Sequence, residues 1–243
     1  MSVSPSLRFL LLQLRSDSDP MLGQEVGCFA EMLACDRSQL TPHSLLKSKP
    51  SRSMLDTHDA VLIGGSGDFS AAGEGEWLER TFDALRDLHT LSKPTFGSCW
   101  GFQALCRALG GDCVHDLANA ELGSIAMTLT DAGRDDPLFA GLPATFLGHS
   151  GHEDRVTDLP ADAELLASSA TVPQQAVRFT GKPIYATQFH PELTAKTFFE
   201  RIAAYPKYVE QIAGVSIDEF RKRCHETPEA NGLLRRFVDI VLA

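Results

Sequence analysis

The chain has 243 residues, which suits one large domain, and 43% of them are hydrophobic, which is typical of a folded globular protein. Acidic residues outnumber basic ones by 32 to 22, and the net charge of −10 disfavours nucleic acid and anionic membranes as partners. No run of about 18 apolar residues predicts a transmembrane helix, and no export signal is recognised, so a cytoplasmic protein is expected.

Short apolar runs alternate with amphipathic stretches in the first part of the chain. Leu7–Leu14 and Ala60–Ile63 predict buried strands, and the second run ends in the glycine turn Gly64–Gly67. Glu25–Cys35 and Glu76–Leu91 carry apolar residues at helical spacing, which predicts two helices. Strands that alternate with helices indicate a parallel sheet covered on both faces.

The remaining elements follow a similar pattern with an antiparallel section in the middle. Thr95–Gly97 predicts a brief strand, and Trp100–Leu109 predicts the helix that follows it. Between Cys113 and Phe179 we expect several strands, some of them antiparallel, such as Ile125–Leu129 and Gln175–Phe179. Ile184–Phe189 predicts the last strand, and the chain beyond it is expected to be helical.

A candidate nucleophile lies between a predicted strand and the following helix. Gly97–Gly101 has the form Gly-x-Cys-x-Gly, with Cys99 where serine stands in the nucleophile elbow of hydrolases. Such a turn is sharp, and side chains at either glycine would collide with neighbouring elements. The dipole and free N–H groups at a helix N-terminus favour the thiolate, which is the attacking form. The N–H of Trp100 would face the developing oxyanion.

A candidate base follows the last predicted strand. Pro191 biases His190 toward extended backbone, in which residues i and i+2 project to the same side. Glu192 is therefore placed beside His190, where its carboxylate can fix the ring tautomer and leave the other nitrogen for the sulfur. Because Cys99 also ends a strand, we predict that these side chains meet at one edge of the sheet.

The other cysteines and histidines carry no comparable pattern. No Cys-x-x-Cys pair occurs, so no zinc site is predicted, and reduced thiols are expected. His149 and His152 form a His-x-x-His pair without a visible third ligand, and we predict neither a metal nor a cofactor. Structural rather than catalytic roles are expected for the remaining cysteines, which are Cys28, Cys35, Cys106, Cys113 and Cys224.

Four segments carry a resemblance to a known family: Gly97–Gln103, Glu121–Gly123, Gly151–Val156 and Gln188–Glu192. In this order they resemble the class I (triad-type) glutamine amidotransferases, and most of all the free-standing GMP-synthase-like members. The resemblance extends over roughly Leu7–Thr194. The combination of the cysteine elbow with Gln-Phe-His-Pro-Glu is specific, whereas each part alone is not.

The resemblance implies a chemical role for each matching residue. Cys99 is expected to be the nucleophile, His190 the general acid and base, and Glu192 the group that orients the imidazole. The family's oxyanion hole is formed by two backbone N–H groups, which match those of Gly65 and Trp100 in this sequence.

The resemblance also implies substrate contacts. Gln103 is expected to touch the substrate, and the backbone of Glu153 and Asp154 is expected to hold its amino-acid end. Ser66 stands where the family usually has proline, and Trp100 is bulkier than the usual residue at its position. These departures leave the chemistry in place but bear on which substrate fits.

Elements and resemblance together predict a flavodoxin-like, three-layer α/β fold. Its sheet is expected to be mostly parallel, with helices on both faces and a helical C-terminal extension. We predict a glutamine amidotransferase domain over residues 1–194 and a helical extension over residues 195–243 that packs on the same domain.

The predicted reaction is hydrolysis of the glutamine side-chain amide through a cysteinyl thioester, which yields glutamate and ammonia. Hydrolysis of γ-glutamyl peptides or γ-glutamyl amines is the alternative enzymatic activity. A catalytically silent regulatory module on the same scaffold is the non-enzymatic alternative. No phosphate-binding Gly-x-x-x-x-Gly-Lys-Ser/Thr motif occurs, so a synthetase that uses the ammonia would be a separate partner.

Overall fold

The computed structural model describes residues 3–205 and 209–242. The strands within these ranges are β1 (Phe9–Gln13), β2 (Leu40–Ser44), β3 (Ala60–Ile63), β4 (Thr95–Ser98), β5 (Asp112–His115), β6 (Glu121–Leu129), β7 (Thr145–His152), β8 (Asp154–Asp158), β9 (Ala163–Ser168), β10 (Ala176–Phe179) and β11 (Ile184–Thr187). The α-helices are α1 (Leu22–Leu33), α2 (Arg52–Thr57), α3 (Glu76–Thr90), α4 (Trp100–Ala108), α5 (Asp131–Asp135), α6 (Ala195–Ala204), α7 (Ile217–Arg223) and α8 (Pro228–Val241). Short 3₁₀ turns occur at Arg37–Gln39 and Leu117–Asn119, and a π-helical turn occurs at Val209–Ala213.

One large sheet organises the molecule. Its strand order is β2-β1-β3-β4-β11-β10-β9-β6-β7, while β5 and β8 pair separately. The strands from β2 to β11 run parallel, and antiparallel pairing begins between β11 and β10. The antiparallel section includes the two segments predicted for it, because Ile125–Leu129 lies in β6 and most of Gln175–Phe179 forms β10.

Alternating side chains of β1 separate the two apolar layers. Phe9 and Leu11 are fully buried under α1 and α8, whereas Leu10 and Leu12 are fully buried under α2, α3 and α4. This alternation follows from the two-residue repeat of a strand, whose successive side chains point to opposite faces. The predicted flavodoxin-like α/β fold, with helices on both faces of the sheet, is therefore confirmed.

Two elements near residues 40–57 escape prediction from the sequence. β2 contains Pro42 and has exposed or half-buried side chains after its first residue, so it shows no clean apolar alternation. It is an edge strand, which is where a sheet tolerates proline. The short helix α2 buries only Leu55, which is too little for a recognisable apolar stripe.

The chain beyond Thr194 is helical, as expected, and contributes to the core. The Thr194 side chain caps α6 by accepting from the N–H of Thr197, 3.2 Å away. In α8, the Phe237 ring lies edge-on to Phe96 of β4, with the ring centres 5.6 Å apart. In the described parts of the chain, no helix has both the length and the apolar character needed to cross a membrane.

Candidate active site

The residues predicted to carry chemistry follow neighbouring parallel strands at the carboxyl edge of the sheet. Gly64 and Gly65 follow β3, Cys99 follows β4, and His190 comes shortly after β11. Because β4 pairs with both β3 and β11, these three strand ends are adjacent. Open α/β sheets bind their ligands at this edge.

Cys99 adopts a strained backbone conformation between β4 and α4. Its φ is 50° and its ψ is −99°, and it is one of three described non-glycine residues with a positive φ. Its N–H donates to the carbonyl of Thr187 at 2.8 Å, which ties the turn to the end of β11. Such conformations cost about 1–3 kcal/mol and persist where the surrounding structure enforces them.

The two elbow glycines allow this turn to pack closely. A Cβ on Gly97 would lie 2.9 Å from the Leu105 side chain, and a Cβ on Gly101 would lie 2.8 Å from both the Cβ and the carbonyl oxygen of Ile63. The absence of a side chain at each position therefore lets α4 start against β3 and β4. This agrees with the reason given for the two glycines from the sequence.

We expect Gly101→Ala to lower the free energy of unfolding by about 1–3 kcal/mol, because the added methyl overlaps β3 backbone that cannot move aside. Gly232→Ala is the matched control, since Gly232 also lies in a helix but a Cβ added there would meet no described atom within 4 Å. This control should raise the free energy of unfolding by up to about 1 kcal/mol. Urea denaturation measures both, and equal effects would contradict the packing argument.

His190, Glu192 and Ser98 form a buried hydrogen-bonded group. Nδ1 of His190 lies 2.7 Å from Oε1 of Glu192, and the Ser98 hydroxyl donates to Oε2 of Glu192 at 2.7 Å. The backbone N–H of His190 donates to the carbonyl of His149 at 2.8 Å, which fixes the main chain beside the ring. With Nδ1 engaged by the carboxylate, Nε2 is the ring nitrogen left for Cys99.

A second cation contacts the same carboxylate. Nη1 of Arg201, in α6, donates to Oε1 of Glu192 at 3.0 Å, and both side chains are almost fully buried. Glu192 therefore has three partners, from the elbow, from the end of the sheet and from the helix after Thr194. A buried carboxylate needs such compensation, because an unpaired buried charge is strongly unfavourable.

These contacts set the ionisation of the group. Burial opposes the charged form of His190, but the negative charge of Glu192 outweighs it and, with contributions from Cys99, raises the pKa of His190 to about 9. Burial also opposes ionisation of Glu192, but His190, Arg201 and Ser98 together lower the pKa of Glu192 to about 2. At neutral pH the group therefore contains an imidazolium beside a carboxylate.

The two positions predicted for the oxyanion hole flank the cysteine. A Cβ on Gly65 would lie 2.9 Å from Cε1 of His190 and 3.8 Å from Cβ of Cys99, so this backbone approaches both side chains closely. Trp100 is the first residue of α4, where a backbone N–H has no acceptor within the helix. Both N–H groups therefore belong to backbone close to Cys99.

A pocket of about 150 Å³ opens beside Cys99, and Trp100, Gln103, Glu153 and Asp154 are among the residues that line it. All three residues predicted to contact the substrate thus border this pocket. Nε2 of Gln103 donates to the backbone carbonyl of Asp154 at 2.7 Å, which joins α4 to β8 across the pocket floor. Nε1 of Trp100 is buried and has no hydrogen-bond partner among the described residues.

The Asp154 carboxylate has a different task from its backbone. It accepts from the Ser70 hydroxyl at 2.6 Å and from the Ala71 N–H at 3.1 Å, and Nδ1 of His115 lies 3.0 Å from its other oxygen. Arg107 donates to the Ala71 carbonyl at 2.7 Å. The segment after the glycine turn is therefore fastened over the pocket from two sides.

Three site residues were not identified from the sequence: Ser98, Gln188 and Arg201. Ser98 and Gln188 lie inside the two motifs, next to the residues that were chosen, and Nε2 of Gln188 is 3.6 Å from the Cys99 sulfur. The signal for Arg201 was a single basic residue on the apolar face of α6, between Phe198 and Ile202. None of these signals specifies a partner far away in the sequence.

The histidines of the His-x-x-His pair have separate surroundings. His149 is fully buried and its ring stacks on Phe198 with the centres 4.6 Å apart; burial is the main cause that lowers the pKa of His149 to about 4. Nε2 of His152 instead lies 3.1 Å from the Glu121 carboxylate. Within residues 3–205 and 209–242, no group of three or more histidine, cysteine or acidic side chains has a geometry suited to a metal ion.

The chain was compared with known protein families and structures. The sequence model of the class-I glutamine amidotransferase family matches residues 23–204. A protein of Thermosipho africanus named GMP synthase [glutamine-hydrolyzing] is 37% identical over 180 residues, which are 74% of this chain and 31% of that protein. Gamma-glutamyl peptidase 3 of Arabidopsis thaliana is 29% identical over 157 residues, which are 62% of this chain and 61% of the relative. The chain thus spans less than two thirds of the length of either protein.

A solved structure supports the same fold. The crystal structure of a glutamine amidotransferase from Thermotoga maritima superposes with a TM-score of 0.77 at 20% identity and covers 98% of each chain. Its likeness concerns the fold, whereas the family match rests on three quarters of the sequence. With the GMP-synthase-like resemblance confirmed by these relatives, the chain belongs to the class-I glutamine amidotransferase family.

Proposed function

We propose that this chain hydrolyses the side-chain amide of glutamine through a thioester on Cys99. The observation that carries the proposal is the arrangement of a strained Cys99 beside a buried His190 whose Nδ1 lies 2.7 Å from Glu192. A nucleophile, a base and an orienting carboxylate in this order are the parts needed for acyl transfer.

The acylation step uses the backbone around the cysteine. Glutamine binds with its side-chain carbonyl oxygen between the N–H groups of Gly65 and Trp100. The Cys99 thiolate attacks the carbonyl carbon, the carbon–sulfur bond forms, and the oxygen takes up the negative charge. When this intermediate collapses, the carbon–nitrogen bond breaks and the His190 imidazolium gives its proton to the nitrogen, which departs as ammonia.

The deacylation step regenerates the enzyme. Water attacks the thioester carbon while the neutral His190 accepts one of its protons, and the carbon–sulfur bond then breaks to release glutamate. The same N–H groups stabilise the second oxyanion, and each donor contributes about 10²–10³ in rate by comparison with measured cases. The hydrogen bond of Glu192 holds His190 in the same orientation in both steps.

The ammonia has two fates in proteins of this kind. The GMP synthase of Thermosipho africanus is more than three times as long as the part that this chain matches. Because that remainder has no counterpart in these 243 residues, we propose that a separate synthetase receives the ammonia if it is used for synthesis. Co-purification with such a partner, and glutaminase activity that rises on its addition, are the expected results.

The experiment that tests the function combines labelling with an ammonia assay. A glutamine analogue bearing a thiol-selective electrophile is expected to modify Cys99 alone among the six cysteines, as located by peptide mass spectrometry. The other cysteines serve as internal controls, because burial raises the pKa of the thiols of Cys28 and Cys106. The unlabelled protein should release glutamate and ammonia from glutamine in equal amounts.

Failure has a specific meaning in this test. A protein that neither reacts with the analogue at Cys99 nor releases ammonia contradicts the proposal and supports a silent regulatory module. Labelling at Cys99 with no turnover of glutamine but rapid cleavage of γ-glutamyl derivatives supports the second candidate, a γ-glutamyl hydrolase. That candidate is favoured by a second cavity next to His190, and it agrees with the likeness to a γ-glutamyl peptidase.

A further inference from the structure

A second, smaller cavity of about 30 Å³ adjoins His190. It shares Ser66, Gly67 and Gly151 with the larger pocket beside Cys99, so the two cavities are neighbouring parts of one cleft. Phe198 and Ile202 of α6 form its apolar wall. A single water needs about 10–15 Å³ of such space, so the cavity holds a group larger than ammonia.

Two buried guanidinium groups also line this cavity. The side chains of Arg15 and Arg201 are 1% and 7% exposed, and both border the space next to His190. Nε of Arg15 and Nη2 of Arg201 are buried without a hydrogen-bond partner among the described residues. Buried N–H donors of this kind are costly unless an acceptor satisfies them.

The other nitrogens of both arginines are engaged by carboxylates. Arg15 donates to Asp19 at 3.0 Å and to Glu25 at 2.9 Å, while Arg201 donates to Glu192. These acids balance the two positive charges, so the cavity does not attract anions by net charge alone. What it offers is directed N–H donors, which suit a carboxylate because a guanidinium pairs with its two oxygens.

The reaction coordinate points a leaving group toward this cavity. In the proposed acylation step the departing nitrogen takes its proton from His190, so it must lie next to that ring. With the glutamyl part in the larger pocket and the carbonyl at Cys99, whatever the nitrogen carries extends past His190. The cavity bordered by His190, Arg15 and Arg201 lies against that ring.

We propose that this cavity is a leaving-group subsite that binds the carboxylate of an amino acid attached to the γ-glutamyl group. The preferred substrates are then γ-glutamyl amino acids with small side chains, an inference that rests on the proposed function. Cys99 forms the thioester, the carbon–nitrogen bond breaks, His190 protonates the departing amino group, and the free amino acid leaves. Water then hydrolyses the thioester to glutamate, as it does with glutamine.

The test compares two substrates that differ by one carboxylate. γ-Glutamyl-L-alanine and γ-glutamyl ethylamide release alanine and ethylamine, which are the same amine with and without that group. For the unaltered protein, kcat/KM is expected to be about 10–100-fold higher for γ-glutamyl-L-alanine, the range for hydrogen bonds to a charged group. Equal values for the two substrates overturn the subsite.

Two variants locate the effect in the cavity. Arg15→Lys keeps a positive charge near Asp19 and Glu25 but removes the unpartnered Nε donor, and it should reduce the preference for γ-glutamyl-L-alanine over the ethylamide about tenfold. Ile202→Phe fills the apolar wall and should reduce the same ratio. Arg52→Lys, in an exposed ion pair with Asp56, is the control and should leave the ratio unchanged.

The readout separates this inference from the function on which it rests. If glutamine is hydrolysed but neither the carboxylate nor the two cavity variants changes the substrate ratio, the subsite is wrong and the proposed function stands. If no γ-glutamyl compound is hydrolysed and Cys99 does not react with the analogue, the function itself fails. A variant that only weakens folding lowers both kcat/KM values together and leaves the ratio at its original value, which contradicts the subsite.

Discussion

Cys99→Ala is expected to reduce the release of ammonia from glutamine by about 10⁴-fold or more, because loss of the nucleophile removes the thioester route altogether. The remaining hydrogen bonds of His190 with Glu192 do not depend on the sulfur, so the fold should persist. Steady-state kinetics measures the loss, and circular dichroism and urea denaturation measure the fold. A variant that still turns over glutamine at the original rate excludes Cys99 as the nucleophile.

A second substitution at this position tests whether the elbow stores strain. Alanine at 99 must keep the φ of 50°, whereas glycine adopts positive φ without penalty. Cys99→Gly is therefore expected to have a free energy of unfolding about 1 kcal/mol above that of Cys99→Ala, although both are inactive. If the glycine variant is the less stable of the two, the turn is not a source of strain.

The sequence predicted the parts of the site that depend on local geometry. Gly97 and Gly101 are recognisable because one sharp turn requires both, and their close approaches to Leu105 and Ile63 bear this out. Pro191 places His190 and Glu192 on one side of extended backbone, and the 2.7 Å contact between the two follows from that constraint alone. Such features are fixed by residues within a few positions of one another.

The parts that were not predicted depend on how distant segments pack. Ser98 donates to Glu192 across 94 positions of sequence, and Arg201 reaches the same carboxylate from a helix whose position depends on the core. The edge strand β2 was missed for a related reason, because its side chains carry little apolar pattern of their own. In each case tertiary packing, rather than local sequence, decides the outcome.

The contact between Arg201 and Glu192 changes how the residues after Thr194 are understood. Sequence reasoning treated this region as a helical extension packed on the domain, with no part in the chemistry. In the structure α6 supplies the cation beside the carboxylate that orients His190, and the family match itself continues to residue 204. We therefore expect damage in α6 to alter the pH dependence of the reaction as well as stability.

Arg201→Met is expected to lower the free energy of unfolding at pH 7 by about 3–5 kcal/mol, because it leaves Glu192 buried without its cation. The pKa of Glu192 is lowered to about 2, so ionised Glu192 stabilises the fold above its usual value near 4.5 and this contribution is lost as the pH falls toward 2. Loss of Arg201 raises this pKa and moves acid unfolding to higher pH. Arg52→Met removes only an exposed pair and should cost less than about 1 kcal/mol.

The same variant is expected to shift the alkaline limb of the activity profile, which a purely structural role would not do. Acylation needs protonated His190, whose pKa is raised to about 9, so kcat/KM should fall as the pH rises through 9. Without Arg201 the charge of Glu192 acts on His190 with less compensation, so this limb should move up by about one pH unit. Arg201→Lys keeps the charge and should restore the original limb. An alkaline limb that stays at the same pH in Arg201→Met shows that Arg201 supports the fold without tuning His190.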